Sequence, residues 1–196
     1  MRITGGEWRS RVLQVPKDSD ITRPTMDQTR QAIFNILNSA SWAEKPNGQP
    51  LVMGATVLDV FAGSGAYGFE ALSRDASHVT FIDKDRQAVE VIQKNSELLK
   101  CTTQVKTLRS DAHTVGANPG EPVTLCFIDP PYTDMSWPDV LVHLKQRQWI
   151  NENTLIILET NSKTMREAAE LAGPVLDIHD QRQYGKSLVI FSAIKD

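Results

Sequence analysis

The chain has 196 residues, 40% of them hydrophobic and 23% charged, with 21 Lys+Arg against 24 Asp+Glu and a formal net charge of −3. That length fits one domain of roughly 100–200 residues, and an apolar fraction this high with so little net charge excludes a disordered chain. No apolar run nears the ~20 residues of a membrane span, the N-terminus carries no secretory signal, and Cys101 and Cys126 make no disulfide framework, so a cytoplasmic protein is expected.

Residues 1–17 carry Arg2, Arg9, Arg11 and Lys17 against Glu7 alone. Gly5-Gly6 splits two β-favourable pieces there, which predicts a hairpin or bent strand. A basic N-terminal β-hairpin extension over 1–20 is thus set apart from a main domain over 21–196. Thr25 and Gln28 have the spacing of a capping box, with Thr25 as N-cap. Ala32, Ile33, Phe34, Ile36, Leu37 and Ala40 follow near a 3.6 period, so a helix is expected over about 25–40. Residues 44–50 are rich in breakers and read as a loop.

Beyond that loop the pattern alternates. Strand-like runs fall at 56–60, 78–82, 104–108, 123–128 and 154–159, with helical stretches near 66–74, 85–100, 138–147 and 163–171. Two more β-rich runs, 175–179 and 187–194, close the chain. The expected fold is α/β and Rossmann-like: a mostly parallel seven-stranded sheet with an antiparallel edge hairpin and helices on both faces.

The first of these strands runs Val57-Leu58-Asp59-Val60 into Phe61-Ala62-Gly63-Ser64-Gly65-Ala66-Tyr67-Gly68. A glycine turn opening a helix lets a ligand approach the backbone and presents free N–H groups. Gly63-x-Gly65-x-x-Gly68, with Asp83 twenty residues after Gly63, also matches the dinucleotide fingerprint, so an NAD-dependent oxidoreductase is a rival reading. Asp59, ending the strand, suits a cationic or amino-bearing ligand better than a pyrophosphate. Asp83 ends the second strand, where a carboxylate can accept from both ribose hydroxyls, while Asp85 competes for the helix N-cap. Asp111 is positioned after the third strand to accept from an adenine amino group, or to serve as a plain turn residue.

The discriminating motif is Asp129-Pro130-Pro131-Tyr132, at the end of the apolar run Leu125–Ile128. Prolines fix φ and lack N–H donors, so the stretch is rigid and offers carbonyls. The Asp129 carboxylate and the Pro130 carbonyl can hold an exocyclic amino group between them, while Tyr132 stacks on the base. An aromatic amine is a poor nucleophile because its lone pair is delocalised. Two acceptors on its hydrogens turn that lone pair toward a methyl donor.

Asp59-Val60-Phe61-Ala62-Gly63-Ser64-Gly65 with Asp129-Pro130-Pro131-Tyr132 resembles the class I, S-adenosylmethionine-dependent amino methyltransferases. Arg2-Ile3-x-Gly5-Gly6-x-Trp8-Arg9-x-Arg11, the run from Arg23-Pro24-Thr25 to Phe34-Asn35-Ile36-Leu37, Glu70-Ala71-Leu72-Ser73-Arg74 and Arg182-x-Tyr184-Gly185 narrow the likeness. Together they resemble the bacterial 16S rRNA (guanine-N2)-methyltransferase family. The resemblance implies S-adenosyl-L-methionine as cofactor and, as partner, 16S rRNA within a small-subunit particle. It further implies that Asp59, Gly63 and Gly65 line the methionine part of the cofactor, Asp83 its ribose, and Asp111 with Ala112 its adenine, with Phe61 also in the cofactor site. Thr25 would lie beside the cofactor, and Asp129, Pro130, Pro131 and Tyr132 would hold the base. Arg2, Arg9, Arg11, Arg23 and Arg30 would meet RNA. Asp83 stands where the family usually has Glu, and Tyr67 and Asp75 replace commoner aliphatic and glycine choices. Adenine-N6 methylation of DNA or RNA is the alternative within the class, and a non-catalytic ribosome-assembly factor is one outside it.

Other patterns are set aside. Gly185-Lys186-Ser187 mimics the end of a P-loop, but Asp180 stands where the motif needs Gly. The four histidines share no metal-ligand spacing, so no metal is expected, and nothing requires more than a monomer. Cys126 reads as a core filler, against a cysteine-dependent cytosine methylation, and Trp42, Trp137 and Trp149 read as packing. The acidic total does not exclude RNA, because phosphate contacts depend on local charge and the ribbon over 1–17 is basic.

Overall fold

In the computed structural model, residues 1–17, 24–131, 136–161, 170 and 172–195 are described. Helix α1 spans Pro24–Leu37. Strand β1 (Thr56–Val60), helix α2 (Ala66–Ser73), strand β2 (His78–Asp83), helix α3 (Arg86–Leu98) and strand β3 (Val105–Arg109) follow. Strand β4 (Leu125–Ile128), helix α4 (Trp137–Gln146) and strands β5 (Leu155–Asn161), β6 (Leu176–Tyr184) and β7 (Ser187–Ile194) complete the order.

The seven strands form one sheet in the order β3-β2-β1-β4-β5-β7-β6. Strands β1 to β5 pair in parallel, and β7 lies antiparallel to both β5 and β6. The expected fold class is therefore the observed one. Because side chains alternate across a strand, the sheet separates two cores. Val57, Phe81, Phe127 and Ile157 face one core with Ile33 and Phe34 of α1, Phe69 of α2 and Ile92 of α3. Leu58, Ile82, Ile128 and Leu158 face the other with Trp137, Val140, Leu141 and Leu144 of α4. Strands buried on both faces read as continuous apolar runs, which is why β1, β4 and β5 stood out.

Boundaries differ where local chemistry competes. Strand β6 runs on to Tyr184, beyond the expected 175–179, because it is an edge strand whose His179–Gln183 stretch is largely solvated. Thr25 is not the N-cap of α1: the helix already includes Pro24, whose fixed φ and missing N–H suit a first helical position. Asp75 takes φ 70°, a left-handed geometry in which glycine is unstrained and Asp is tolerated, so the departure there keeps the turn. Most of the helix expected over 163–171 lies outside the described residues.

The basic ribbon forms a tight reversal with one bridge, Arg2↔Val12, rather than extended strands. It is clamped onto α2: the Glu7 amide donates to the Ser73 carbonyl at 2.7 Å, the Trp8 amide to Ser73 Oγ at 2.9 Å, and Ser73 Oγ to the Gly5 carbonyl at 2.7 Å. Gly6, at φ 75°, lies so close to Ser73 that an added Cβ would sit 1.6 Å from its carbonyl oxygen. Ile3 and Leu13 join the α1–α3 core, leaving Arg2, Arg9 and Arg11 exposed on the outer side.

Candidate active site

From β1 the chain moves outward through β2 and β3, then crosses back to lay β4 on the other side of β1. A crevice opens at such a switch point, beyond the carboxyl ends of the strands. The glycine loop after β1 and Asp129-Pro130-Pro131 after β4 flank it. Asp59 pairs in register with Phe81 on one side and Phe127 on the other. Asp83 and Asp129 follow two residues later on their strands and thus share Asp59's face. The sheet ends in a row of carboxylates.

The loop itself is built for close approach. Phe61 holds φ 59°, Gly63 55° and Gly65 77°. For Phe61 that geometry costs on the order of 1–2 kcal/mol. The three glycines of the fingerprint differ in purpose. A Cβ on Gly65 would press on Phe69 and Phe81, and one on Gly68 on Phe81 and Val79, so these two let α2 pack on the sheet. A Cβ on Gly63 would meet nothing closer than the Phe61 carbonyl at 4.0 Å. Only there does the loop face open space.

Asp59 is 2% exposed beneath the loop and accepts from the Gly68 amide at 2.9 Å, serving as a remote cap for α2. Burial pushes its carboxyl up to about 8, with the Gly68 hydrogen bond opposing and Asp83 adding to the shift. It supports the loop instead of lining an open cleft, as its place at the strand end had suggested. Asp83 Oδ2 accepts from the Gly63 amide and Oδ1 from the Asp85 amide, both at 2.8 Å. Asp85, not Asp83, caps α3 through the Gln87 amide. Two carboxylate oxygens offer about four acceptor sites, so Asp83 retains capacity for ribose hydroxyls.

Asp111 accepts from the His113 amide at 3.0 Å and pairs with His113 Nδ1 at 2.9 Å, which together hold its carboxyl below the usual range. His113 Nε2 in turn lies 2.8 Å from Ser136 Oγ, at the entry to α4. Ala112 is buried in the α4-side core.

At the end of β4, Asp129 is partly buried and its carboxylate takes no hydrogen bond from the described residues. Burial, then Glu159 and Asp59, push it well above the usual carboxylate range. Pro130 is buried and Pro131 exposed. Tyr132 and Arg23 lie outside the described residues, and of Thr25 only the backbone is described. Arg30 is corrected: it is 2% exposed and bound to Glu70, Asp27 and the Arg2 carbonyl. An arginine so enclosed cannot reach a phosphate; it fastens the ribbon.

Two residues escaped the sequence reading. Glu159 of β5 is 5% exposed and accepts from the Tyr67 hydroxyl. Tyr67 stacks on Phe127 with centroids 5.0 Å apart and planes at 15°. The signal was available, since β5 is another apolar run closed by an acid, as β1, β2 and β4 are. Burial raises the Cys126 thiol far above its ordinary range, in keeping with core packing. Trp137 and Trp149 are buried as expected. Gly185-Lys186 is the β6–β7 turn.

A family model described as conserved hypothetical protein 95 matches residues 1–193. Ribosomal RNA small subunit methyltransferase D of Escherichia coli is 37% identical over 160 residues, covering 82% of this chain and 74% of its own. The protein of the same name from Haemophilus influenzae is 34% identical over 163 residues, covering 82% and 78%. A solved structure, a putative methyltransferase from Escherichia coli, superposes with a TM-score of 0.80 at 31% identity, covering 100% of this chain and 98% of that one.

Proposed function

The chain belongs to the conserved hypothetical protein 95 family, and from that premise we propose that it methylates the exocyclic N2 of one guanine in 16S rRNA, with S-adenosyl-L-methionine as donor. The observation that carries the reading is the place of the Asp129 carboxylate: β1 and β4 pair last at Val60↔Ile128, so Asp129 leaves the sheet next to the start of the glycine loop. A carboxylate delivered there is placed to accept from a ligand donor.

The residues fit such a cofactor. The open face at Gly63 admits a close backbone contact, and Asp83 has acceptor sites left for ribose. When bound, the cofactor supplies a methyl on a positively charged sulfur, which leaves with the bonding pair as a neutral thioether. Asp129 and the Pro130 carbonyl take the two hydrogens of N2 and orient its lone pair. Once methylated, N2 bears a surplus proton. Asp129, placed to face that nitrogen, is the group suited to take it. The exposed Arg2, Arg9 and Arg11 of the ribbon are suited to phosphates of the rRNA.

A mass-spectrometric map of rRNA from a strain lacking the gene is expected to miss one N2-methylguanine; an unchanged map overturns the reading. Asp129→Ala is expected to lower kcat at least ~100-fold while S-adenosylhomocysteine still binds. Unaltered methylation by that variant would show that Asp129 is not what holds N2, whereas a purified wild-type protein that binds particles but transfers no methyl would be one that assists assembly without catalysis.

A further inference from the structure

We propose that Glu159 makes the site specific for guanine, its carboxylate accepting the N1–H of the base while Asp129 accepts the N2 amino group. The proposal rests on the methyl-transfer reading above and names what that site reads.

Strands β4 and β5 run parallel and pair last at Ile128↔Leu158. Asp129 and Glu159 are the next residues on each, side by side at the sheet's carboxyl end. They lie on the face shared by Phe127 and Ile157. Neighbouring strands are ~4.8 Å apart, so the two carboxylates form adjacent acceptors, close enough for Glu159 to act on the ionisation of Asp129. Glu159 is also held in one orientation. Its Oε2 takes the Tyr67 hydroxyl, and Tyr67 is itself fixed by its stack on Phe127. Oε1 takes no hydrogen bond from the described residues. With Oε2 anchored by Tyr67, Oε1 is an acceptor held in a fixed place for a ligand donor.

Base chemistry says which donor. Guanine alone carries a ring N–H next to its exocyclic amino group, so its edge gives two neighbouring donors to two neighbouring carboxylates. Adenine and cytosine place a ring-nitrogen lone pair beside their amino groups, and that lone pair would face Glu159. Uracil has no amino group. A pocket that leaves a buried acceptor facing an acceptor rejects the wrong base strongly. The Tyr67 hydroxyl does not offer relief, because burial and Glu159 keep it protonated and its hydrogen is committed.

The test uses small-subunit particles reconstituted with 16S rRNA that carries either guanine or 2-aminopurine at the mapped position. The analogue keeps the 2-amino group but has a bare lone pair at N1. The full-length wild-type enzyme is expected to favour guanine by at least ~100-fold in kcat/KM. Glu159→Gln can still accept from Tyr67 while turning an N–H toward the base, so it is expected to narrow that ratio to below ~10-fold or invert it, with S-adenosylhomocysteine binding retained. Equal use of both bases by the wild-type enzyme overturns the proposal, and does so even if the variant fails to fold. So does a Glu159→Gln enzyme that loses both activities by the same factor. A wild-type enzyme inactive on the guanine particle overturns the methyl-transfer reading itself, which is a separate result.

Discussion

Arg30 and Glu70 form an ion pair at 3.3 Å between α1 and α2, with side-chain exposures of 2% and 0%. Glu70 also binds Arg74 Nε at 2.8 Å, the Thr4 amide at 2.7 Å and the Thr4 hydroxyl at 2.7 Å. One carboxylate thus joins two arginines and the N-terminal ribbon. Removing one partner of a buried pair costs roughly 3–5 kcal/mol, because the remaining charge is stranded. Glu70→Ala is expected toward the low end, about 3 kcal/mol, since Asp27 still pairs with Arg30 at 2.9 Å. Asp27→Ala, at a half-open site, is expected to cost about 1 kcal/mol or less. Urea midpoints compared at equal slope check both, and equal losses for the two variants would show that burial is not what matters.

Asp59 gives a pH-dependent expectation. Its folded-state value is raised from 3.8 to about 8, chiefly by burial. The folded chain therefore holds a proton that the unfolded chain releases, so this contribution is complete below pH 4 and is lost as pH rises through about 8. Asp59→Asn keeps an oxygen for the Gly68 amide and cannot ionise. Without cofactor, its Tm relative to wild type is expected to rise steadily between pH 4 and 8 and to level off above. Parallel Tm curves across that range would sink this account.

Much of the site was legible because its chemistry is written in strand ends. Runs such as Leu125–Ile128 followed by Asp129 announce a buried strand and the acid it delivers, and the switch point follows from strand order. What the sequence concealed is direction. Asp59 and Arg30 carry charges that composition assigns to ligands, yet Asp59 turns under the loop to the Gly68 amide and Arg30 turns inward to Glu70. Such inward turns depend on partners 9 and 40 residues away, which no local pattern reports. Glu159 was legible as an acid closing an apolar run, but not as part of the site. Its strand looked like plain core, and its meaning lies in neighbouring Asp129, supplied by a different strand. Likewise His113 gains significance only when Ser136 of a later segment reaches its ring.

The ribbon supplies the final expectation. Arg9 and Arg11 are exposed, and Val12 beside them is 59% exposed, whereas the backbone of this stretch is fastened to α2 through Ser73. Substitutions on its outer side leave that clamp intact, so they probe binding and not folding. Each phosphate contact adds about 0.7–0.9 to the slope of log affinity against log salt. The Arg9→Gln, Arg11→Gln double variant is expected to bind small-subunit particles more weakly and with a slope shallower by about 1.5, while kcat at saturating particle concentration stays unchanged. Titrations at several salt concentrations read both quantities. A weakened affinity with an unaltered slope would mean that the ribbon acts through shape and not through phosphate charge.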